Sequence, residues 1–309
     1  MKALTAHSYG PVDQLTVADL PAPVPAPGQV LLRVEAAALN PLDIALATGA
    51  MREAMPVNHP FVLGLDAAGV VQQIGDGVTG FAPGDAVVAF TYPRGAIAEF
   101  TVVSEGPQLV RRPSGVDAVS AAALPVAAMT AAGAVRDAQL EPGQSVLIVG
   151  ATGGVGSFAV QLAARAGARV LATASHLDAE YMHSLGAQHT IDYTVGDTTQ
   201  QVLRLQPEGV DVVIDLVNAG PSLAATAGAA KPGGRLISPL GGPPHFDRDV
   251  TAIYTHIEAS AGLLEDLVDQ VAVGQLAVQV SAIYPFTDAT LAVNDFVGKH
   301  TRGKVLIAF

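Results

Sequence analysis

Four glycines in seven residues, Gly150, Gly153, Gly154 and Gly156, are the residues of this chain whose spacing most plainly suits chemistry. They share a turn with Thr152 and Val155, and the whole stretch reads SVLIVGATGGVGSFAVQLAARAGARVLAT over 145–173. With hydrogen for a side chain, such a backbone can pass within contact distance of a pyrophosphate. The first helical amides beyond it point at the phosphates with the positive end of the helix dipole, about half a unit charge. The bland alternative is a tight turn between packed elements, but one turn does not need four glycines.

To do this chemistry the turn must lie between particular elements, and the sequence supplies them. An apolar strand is expected over 145–149 and an amphipathic helix after the glycines, with apolar Phe158, Val160, Leu162 and Ala163. A second strand follows over 169–173. Further strands are expected at 189–191, 211–215, 234–238 and near 251–257, in alternation with helices, which predicts a parallel sheet. A helix is expected over 263–273. The first 110 residues read differently: short alternating runs at 30–34, 68–74, 86–89 and 98–103, divided by Pro-Gly and Gly-Asp turns, predict a β barrel or folded sheet. The tail returns to β-like segments at 277–283 and 305–308 around a helix near 288–298. The expected fold is therefore α/β, with a doubly wound parallel-sheet domain over 119–275 inserted into a β domain made of 1–118 and 276–309.

Composition narrows the function classes. The chain has 28 Asp and Glu against 16 Lys and Arg, a formal net charge of −12. Neither nucleic acid nor an anionic membrane attracts such a surface, so neither is expected as a main partner; the balance says little about small ligands, since a local basic pocket can sit on an acidic protein. There is no cysteine, which removes disulfides, thiolate nucleophiles and cysteine-held zinc together. The uncharged stretches 118–135 and 143–164 are broken by Pro125, Gly133 and the glycine cluster, so neither is expected to span a membrane. The first residues, MKALTAHSYG, lack the apolar core of a signal peptide, and a cytoplasmic location is expected.

Several stretches in order resemble the medium-chain dehydrogenase/reductase superfamily, in its zinc-independent quinone oxidoreductase (zeta-crystallin-like) branch. They are NPLDIALATG (40–49), HPFVLGLDAAGVVQQIGDGVTGFAPGDAVVAF (59–90), GAIAEF (95–100), AALPVAAMTAAGAV (122–135), the glycine turn, SLGAQHTIDY (184–193), GVDVVIDLV (209–217), KPGGRLIS (231–238) and HTRGKVLI (300–307). The resemblance implies a chaperonin-10 (GroES)-like β domain, a Rossmann dinucleotide-binding domain and an active site in the cleft between them. It implies NAD(P)H-dependent reduction of a quinone or another conjugated carbonyl, and a homodimer. Zinc enzymes of the superfamily hold their metal with an early Cys and with His and Glu in a Gly-His-Glu segment. The matching positions here carry Asn40, Leu65 and Asp66. An amide, a leucine and one carboxylate make a poor zinc set, so no metal is expected. Without a Lewis acid, reduction of a conjugated acceptor is favoured over oxidation of a plain alcohol, because the negative charge spreads over an enolate or hydroquinone.

Three residues are candidates for catalysis. Asn40 opens Asn-Pro-Leu-Asp, where it reads as an N-cap with Pro41 at the first helical position and Asp43 in the capping-box place. Its functional reading has the amide donating to substrate or nicotinamide. Tyr92, just past the strand at 86–90, is a candidate proton donor or stacking ring, with rim packing as the alternative. Thr130 matches a threonine that the resemblance places near the nicotinamide, with helix packing as the alternative. On the coenzyme side, Asn218 follows Asp215 at the carboxyl edge of the sheet, and Leu240, Gly241 and Gly242 occupy the same edge after the next strand.

The strand at 169–173 ends without a carboxylate until Asp178, which favours NADPH over NADH: Ser175 can hydrogen-bond a 2′-phosphate and His176 can add charge. Tyr193 matches a tyrosine that relatives use near the adenosine end. NADH stays open as an alternative coenzyme. Two other functions also remain, a 2-enoyl thioester reductase and a protein that binds NADPH without turnover. Arg33, Arg52 and Arg94 offer the first domain little basic charge to grip a thioester's phosphate-bearing arm.

Overall fold

The computed structural model describes residues 1–243 and 245–309. The chain opens with strands β1 (Lys2–Ala6), β2 (Thr16–Asp19) and β3 (Gln29–Leu39), helix α1 (Pro41–Thr48), and strands β4 (Phe61–Val62), β5 (Asp66–Ile74), β6 (Ala86–Phe90), β7 (Phe100–Ser104) and β8 (Leu109–Arg111). Helices α2 (Ala118–Ala122) and α3 (Pro125–Ala138) follow. Next come β9 (Ser145–Val149), α4 (Gly154–Arg165), β10 (Arg169–Thr173), α5 (Ala179–Ser184), β11 (His189–Ile191), α6 (Thr198–Leu205), β12 (Val210–Asp215), α7 (Gly220–Ala227), β13 (Ala230–Ser238) and β14 (Thr251–Tyr254). The tail adds α8 (Leu263–Ala272), β15 (Val280–Pro285), α9 (Ala289–Gly298) and β16 (Lys304–Ala308).

Two compact units result, Met1–Ala127 with Ala259–Phe309, and Ala128–Glu258. Residues 119–127 and α8 therefore group with the β-rich unit, where α2 packs on β3 and β5, and α8 on β8. In that unit one sheet runs β15-β16-β3-β5-β6-β8 with β7 also on β3, and a smaller one runs β2-β1-β4. Strand β3 is the spine: Ala36, Ala37, Ala38 and Leu39 are all buried, so its last four residues read as a continuous apolar run, whereas Arg33 and Glu35 before them reach toward solvent. It stops at Pro41, which has no amide hydrogen for a ladder but suits the first turn of α1.

The second unit holds a six-stranded sheet in the order β11-β10-β9-β12-β13-β14, every pair of it parallel. The buried runs 146–149 of β9, 170–172 of β10 and 212–214 of β12, with Leu236 and Ile237 of β13, are apolar, as in a parallel sheet covered on both faces. Leu147, Leu171, Val213 and Leu236 from these strands meet Val202 of α6 and Leu223 of α7 in one cluster. The strand order reverses between β9 and β12, so the loop leaving β9 stands at the topological switch point of the sheet. This is the α/β Rossmann arrangement expected from the sequence, joined in the chain to a GroES-like β unit. Among the described residues no helix is long and apolar enough to cross a membrane.

Candidate active site

The loop at the switch point is the glycine turn. Gly150 leaves β9 with φ of +78°, a conformation that L side chains rarely adopt. A Cβ on Gly156 would lie 2.1 Å from the carbonyl oxygen of Gly150 and 2.6 Å from Cα of Ala151, so helix α4 can approach its own entry strand only with glycine there. Gly153 differs: its φ is −74°, and its Cβ would find only the Gly150 oxygen at 3.4 Å. Neither the fold's sterics nor its backbone geometry demands glycine at 153. Gly153 is also the N-cap of α4 and offers no side chain to its first amides. The amides of Gly154, Val155 and Gly156 precede the first helical bond, from Ser157 to the Gly153 carbonyl, and form the donor end a pyrophosphate needs. The residues present thus fit a dinucleotide.

Thr173, at the end of β10, locks this turn through Oγ1, which accepts from the Gly150 amide at 2.9 Å. Sequence reasoning missed it, although a threonine closing the second strand was its signal. Thr173→Val should leave that amide unpaired and lower stability by about 1–3 kcal/mol, read as a fall in melting temperature of several degrees. An unchanged melting curve would show that the bond contributes nothing.

The other candidates of this unit fall into two groups. Asp215 is buried and its Oδ1 accepts from the amides of Val217 and Asn218, at 3.0 and 2.9 Å, so it caps the turn after β12. Asn218 spends Nδ2 on Asp215 Oδ2 and Thr226 Oγ1, which leaves its Oδ1 as the group to offer a ligand. The Gly220 amide donates to the Gly241 carbonyl at 3.0 Å, tying this turn to the Leu240-Gly241-Gly242 turn after β13. Gly241 faces open space, whereas a Cβ at Gly242 would strike the Tyr254 hydroxyl at 2.6 Å. These residues share the carboxyl edge with the glycine turn. At the end of β10, Ser175 is half-buried and His176 exposed, and Tyr193 is exposed beyond β11. The Ser175 hydroxyl donates to Asp178 Oδ2 at 3.0 Å. Asp192 also borders this end: hydrogen bonds from Thr194 and the neighbouring His176 hold its carboxyl below the usual range. Thr130 is buried on α3.

In the β-rich unit three strand ends converge. Asn40 directly follows β3, Asp66 begins β5, and Lys304 begins β16, whose antiparallel register pairs Val305 with Leu39. Lys304 is therefore set beside Asn40 from 264 residues away. Its ammonium donates to Asn40 Oδ1 at 2.5 Å, to Leu39 O at 3.1 Å and to Asp66 Oδ2 at 3.1 Å. Asn40 Nδ2 donates to the same Asp66 oxygen at 2.9 Å, while Asp66 Oδ1 accepts from the Val126 amide at 2.7 Å. Asp43 returns the cap by accepting from the Asn40 amide at 2.7 Å, as the Asn-Pro-Leu-Asp spacing predicts. All four side chains are buried, with Lys304 and Asn40 each 3% exposed. Burial, with Asp66 adding to it, pushes the Asp43 carboxyl up to about 7 against the opposing pull of Lys304 and the Asn40 bonds.

This quartet tests the metal question. Both Asp66 oxygens are engaged, Asn40 is bonded at both ends, Leu65 replaces the histidine, and an ammonium already sits among the acceptors. The donor set does not fit a metal ion. Among the described residues no group of three or more His, Cys, Asp or Glu is placed to hold one. His59, close to Asp66 in sequence, packs edge-on against Tyr9, ring centroids 4.6 Å apart. Lys304 had no role in the sequence reading, although Gly303-Lys304 stood in the HTRGKVLI stretch. A Cβ on Gly303 would strike the Gln279 carbonyl at 2.2 Å, so that glycine lets β16 begin where it does.

Tyr92 is half-buried and lines a cleft of about 210 Å³ within the β-rich unit, with Thr91, Arg94, Gln29 and Gln108 among its walls. Thr91 was not foreseen. Its amide and hydroxyl bind the carbonyls of Leu65 and Gly64, at 2.9 and 3.0 Å, and so hold the segment that delivers Asp66.

A GroES-like β unit, a Rossmann sheet and a glycine turn at the switch point define a pyridine-nucleotide oxidoreductase. Comparison with known proteins agrees. The profile described as "Alcohol dehydrogenase GroES-like domain" matches residues 26–114, and that described as "Zinc-binding dehydrogenase" matches 185–307. A chloroplast envelope quinone oxidoreductase homolog of Arabidopsis thaliana is 32% identical over 99% of this chain and 98% of its own length. An NADPH-dependent alkenal/one oxidoreductase of the same plant is 32% identical over 99% of this chain and 79% of its own. The crystal structure of a Pseudomonas syringae quinone oxidoreductase superposes with a TM-score of 0.90 at 28% identity, covering 100% of this chain and 99% of that one. The chain belongs to the medium-chain dehydrogenase/reductase superfamily, in its quinone oxidoreductase branch.

Proposed function

We propose that this protein is a zinc-independent, NADPH-dependent reductase of a quinone or an α,β-unsaturated carbonyl. The observation that carries the reading is the glycine turn at the switch point, in a chain whose relatives are named for quinones and alkenals. The coenzyme supplies a hydride for the acceptor. Thr152, Gly154, Val155 and Gly156 present amides to the pyrophosphate, while Gly150 and Gly153, whose own amides are spent on Thr173 Oγ1 and on the Gly150 carbonyl, leave room for its approach. Asn218, Leu240, Gly241 and Gly242 line the nicotinamide half, and Ser175, His176 and Tyr193 the adenosine end. Asn40 offers the second Nδ2 hydrogen to the acceptor oxygen as negative charge develops there. Thr130 orients the nicotinamide, and Tyr92 stacks on the acceptor or gives it a proton.

A second reading of the coenzyme has a specific basis. Asp178 folds back onto Ser175, and a carboxylate near a 2′-phosphate costs on the order of a few kcal/mol at an effective dielectric of ~20. NADH avoids that repulsion. Asp178→Asn should therefore raise the NADPH-to-NADH ratio of kcat/KM by about tenfold, each tenfold being about 1.4 kcal/mol. A ratio that stays put would remove Asp178 from coenzyme choice.

The deciding experiment is a steady-state acceptor screen with NADPH and NADH side by side, with and without a chelator. Turnover of quinones or enones that survives chelation supports the reading. Turnover confined to crotonyl-CoA would make it a thioester reductase. Tight NADPH binding with no turnover would make it a binding protein, and loss of rate with chelation would restore the metal.

A further inference from the structure

We propose that Lys304 is a positioning residue, an internal cation that with Asp66 holds the carboxamide of Asn40 in one of its two flip states. The orientation follows from the quartet alone; its effect on turnover rests on the function proposed above.

A carboxamide can turn by 180° with little change of shape, and its oxygen and nitrogen then exchange places. Here the exchange is forbidden on both sides. Flipping Asn40 would set Nδ2 against the Lys304 ammonium, where Oδ1 now accepts at 2.5 Å, and Oδ1 against the Asp66 carboxylate, where Nδ2 now donates at 2.9 Å. One good hydrogen bond of each kind would become a like-charged contact. Either partner alone disfavours the flip; the two together exclude it.

Lys304 itself has three donors and three acceptors, and its side chain is 3% exposed. A buried ion pair of this kind is a poor device for stability, since apolar residues of like volume often do as well. What apolar residues cannot supply is a direction for a neighbouring amide. With Asp66 and Lys304 satisfied, the hydrogen left on Asn40 Nδ2 has a fixed aim, which is what a donor to a developing oxyanion needs. The ammonium also lies among the side chains at the positions where zinc relatives carry ligands, which accounts for the poor fit of the donor set to a metal.

The chain has four asparagines, Asn40, Asn58, Asn218 and Asn294, so selective ¹⁵N labelling of asparagine gives a sparse side-chain amide spectrum. The Asn40 pair is identified by its absence in Asn40→Ser. In the unmodified protein it should exchange with water about tenfold or more slowly than that of exposed Asn58. Lys304→Met should raise that exchange by about tenfold, leave Asn218 unchanged, and lower kcat/KM for the acceptor by about 10–100-fold with coenzyme affinity within about twofold. Because Lys304→Met strands Asp66 and lowers stability, the neutral pair Lys304→Met with Asp66→Asn is the control. With no stranded charge, and only one amide face of residue 66 still meeting a donor from Asn40 or Val126, it should recover part of the melting temperature while fast exchange and slow turnover persist. Recovery of turnover along with stability would reduce Lys304 to a structural ion. Unchanged Asn40 exchange in Lys304→Met would overturn the proposal outright. Slow Asn40 exchange in a protein that reduces neither quinones nor enones would sink the proposed function and leave the positioning intact.

Discussion

Gly153→Ala is expected to leave the fold untouched and to weaken coenzyme binding by about 10–100-fold, or about 1.4–2.8 kcal/mol. The native φ at 153 suits alanine, and the new Cβ would meet its nearest neighbour at 3.4 Å, an ordinary contact. Removing glycine from such a position often adds about 0.4–1 kcal/mol of stability by restricting the unfolded chain. On the proposed function, a methyl group at the mouth of the turn would nevertheless stand in the path of the pyrophosphate. Gly156→Ala is the contrast, because its Cβ would collide with backbone atoms of Gly150 and Ala151. That variant should lose several kcal/mol of stability together with binding, the usual outcome of overpacking against atoms that cannot move aside. Calorimetric titration with NADPH beside thermal unfolding separates the two. Should Gly153→Ala bind as well as the parent, the glycine turn would be a structural turn only.

Asp43→Asn is expected to remove a pH dependence of stability that the parent protein shows between about pH 4 and 7. Burial and Asp66 raise the Asp43 carboxyl to about 7, from an ordinary 3.8, and Oδ1 meets no donor. The groups facing it are Asn40, Asp66 and Lys304, so two carboxylates share one ammonium in a site closed to water. The folded chain therefore prefers Asp43 protonated, the reverse of a salt-bridged aspartate. The stabilisation is whole below about pH 4 and fades as pH rises through 7. Its ceiling is about 4 kcal/mol, because each tenfold change in an ionisation constant between the unfolded and folded chain is worth about 1.4 kcal/mol. Asp211 works in the opposite sense and in another window. Burial raises it, but its bonds to Lys231 and Ser145 outweigh that and hold it at about 2, so its contribution is lost only in acid. Melting temperatures of parent and variant, compared at pH 5.5 and 8, should diverge in favour of the asparagine by several degrees at the higher pH. Parallel curves would show that Asp43 is ionised throughout.

Much of the parallel-sheet unit was legible because its signals are local. The strands at 145–149, 169–173 and 189–191 stand where the apolar runs placed them. Helix α8 ends one residue short of the expected 273, and α9 covers 289–298. The Asn-Pro-Leu-Asp cap was readable for the same reason, since three residues decide it. The β-rich unit was harder. Strands β1, β2, β4 and β8 carried no distinct signal, because a short strand beside a turn has too few residues to show a period. The run expected over 30–34 proved to be part of an eleven-residue strand, whose alanines near its end alternate with nothing.

The chain by itself determined the glycine turn, the alternation of strand and helix around it, and the lack of cysteine and histidine where zinc relatives carry ligands. Each of these is a matter of residue types within a few positions of one another, which the backbone's own geometry converts into shape. Only the tertiary structure decided that Lys304 belongs to Asn40 and Asp66, and that Asp43 shares their burial. No spacing encodes those contacts. They arise when β16 pairs antiparallel with β3, and the sheet's register then delivers a lysine from the tail to an amide near the start. Buried there, away from water, the charges acquire their strength.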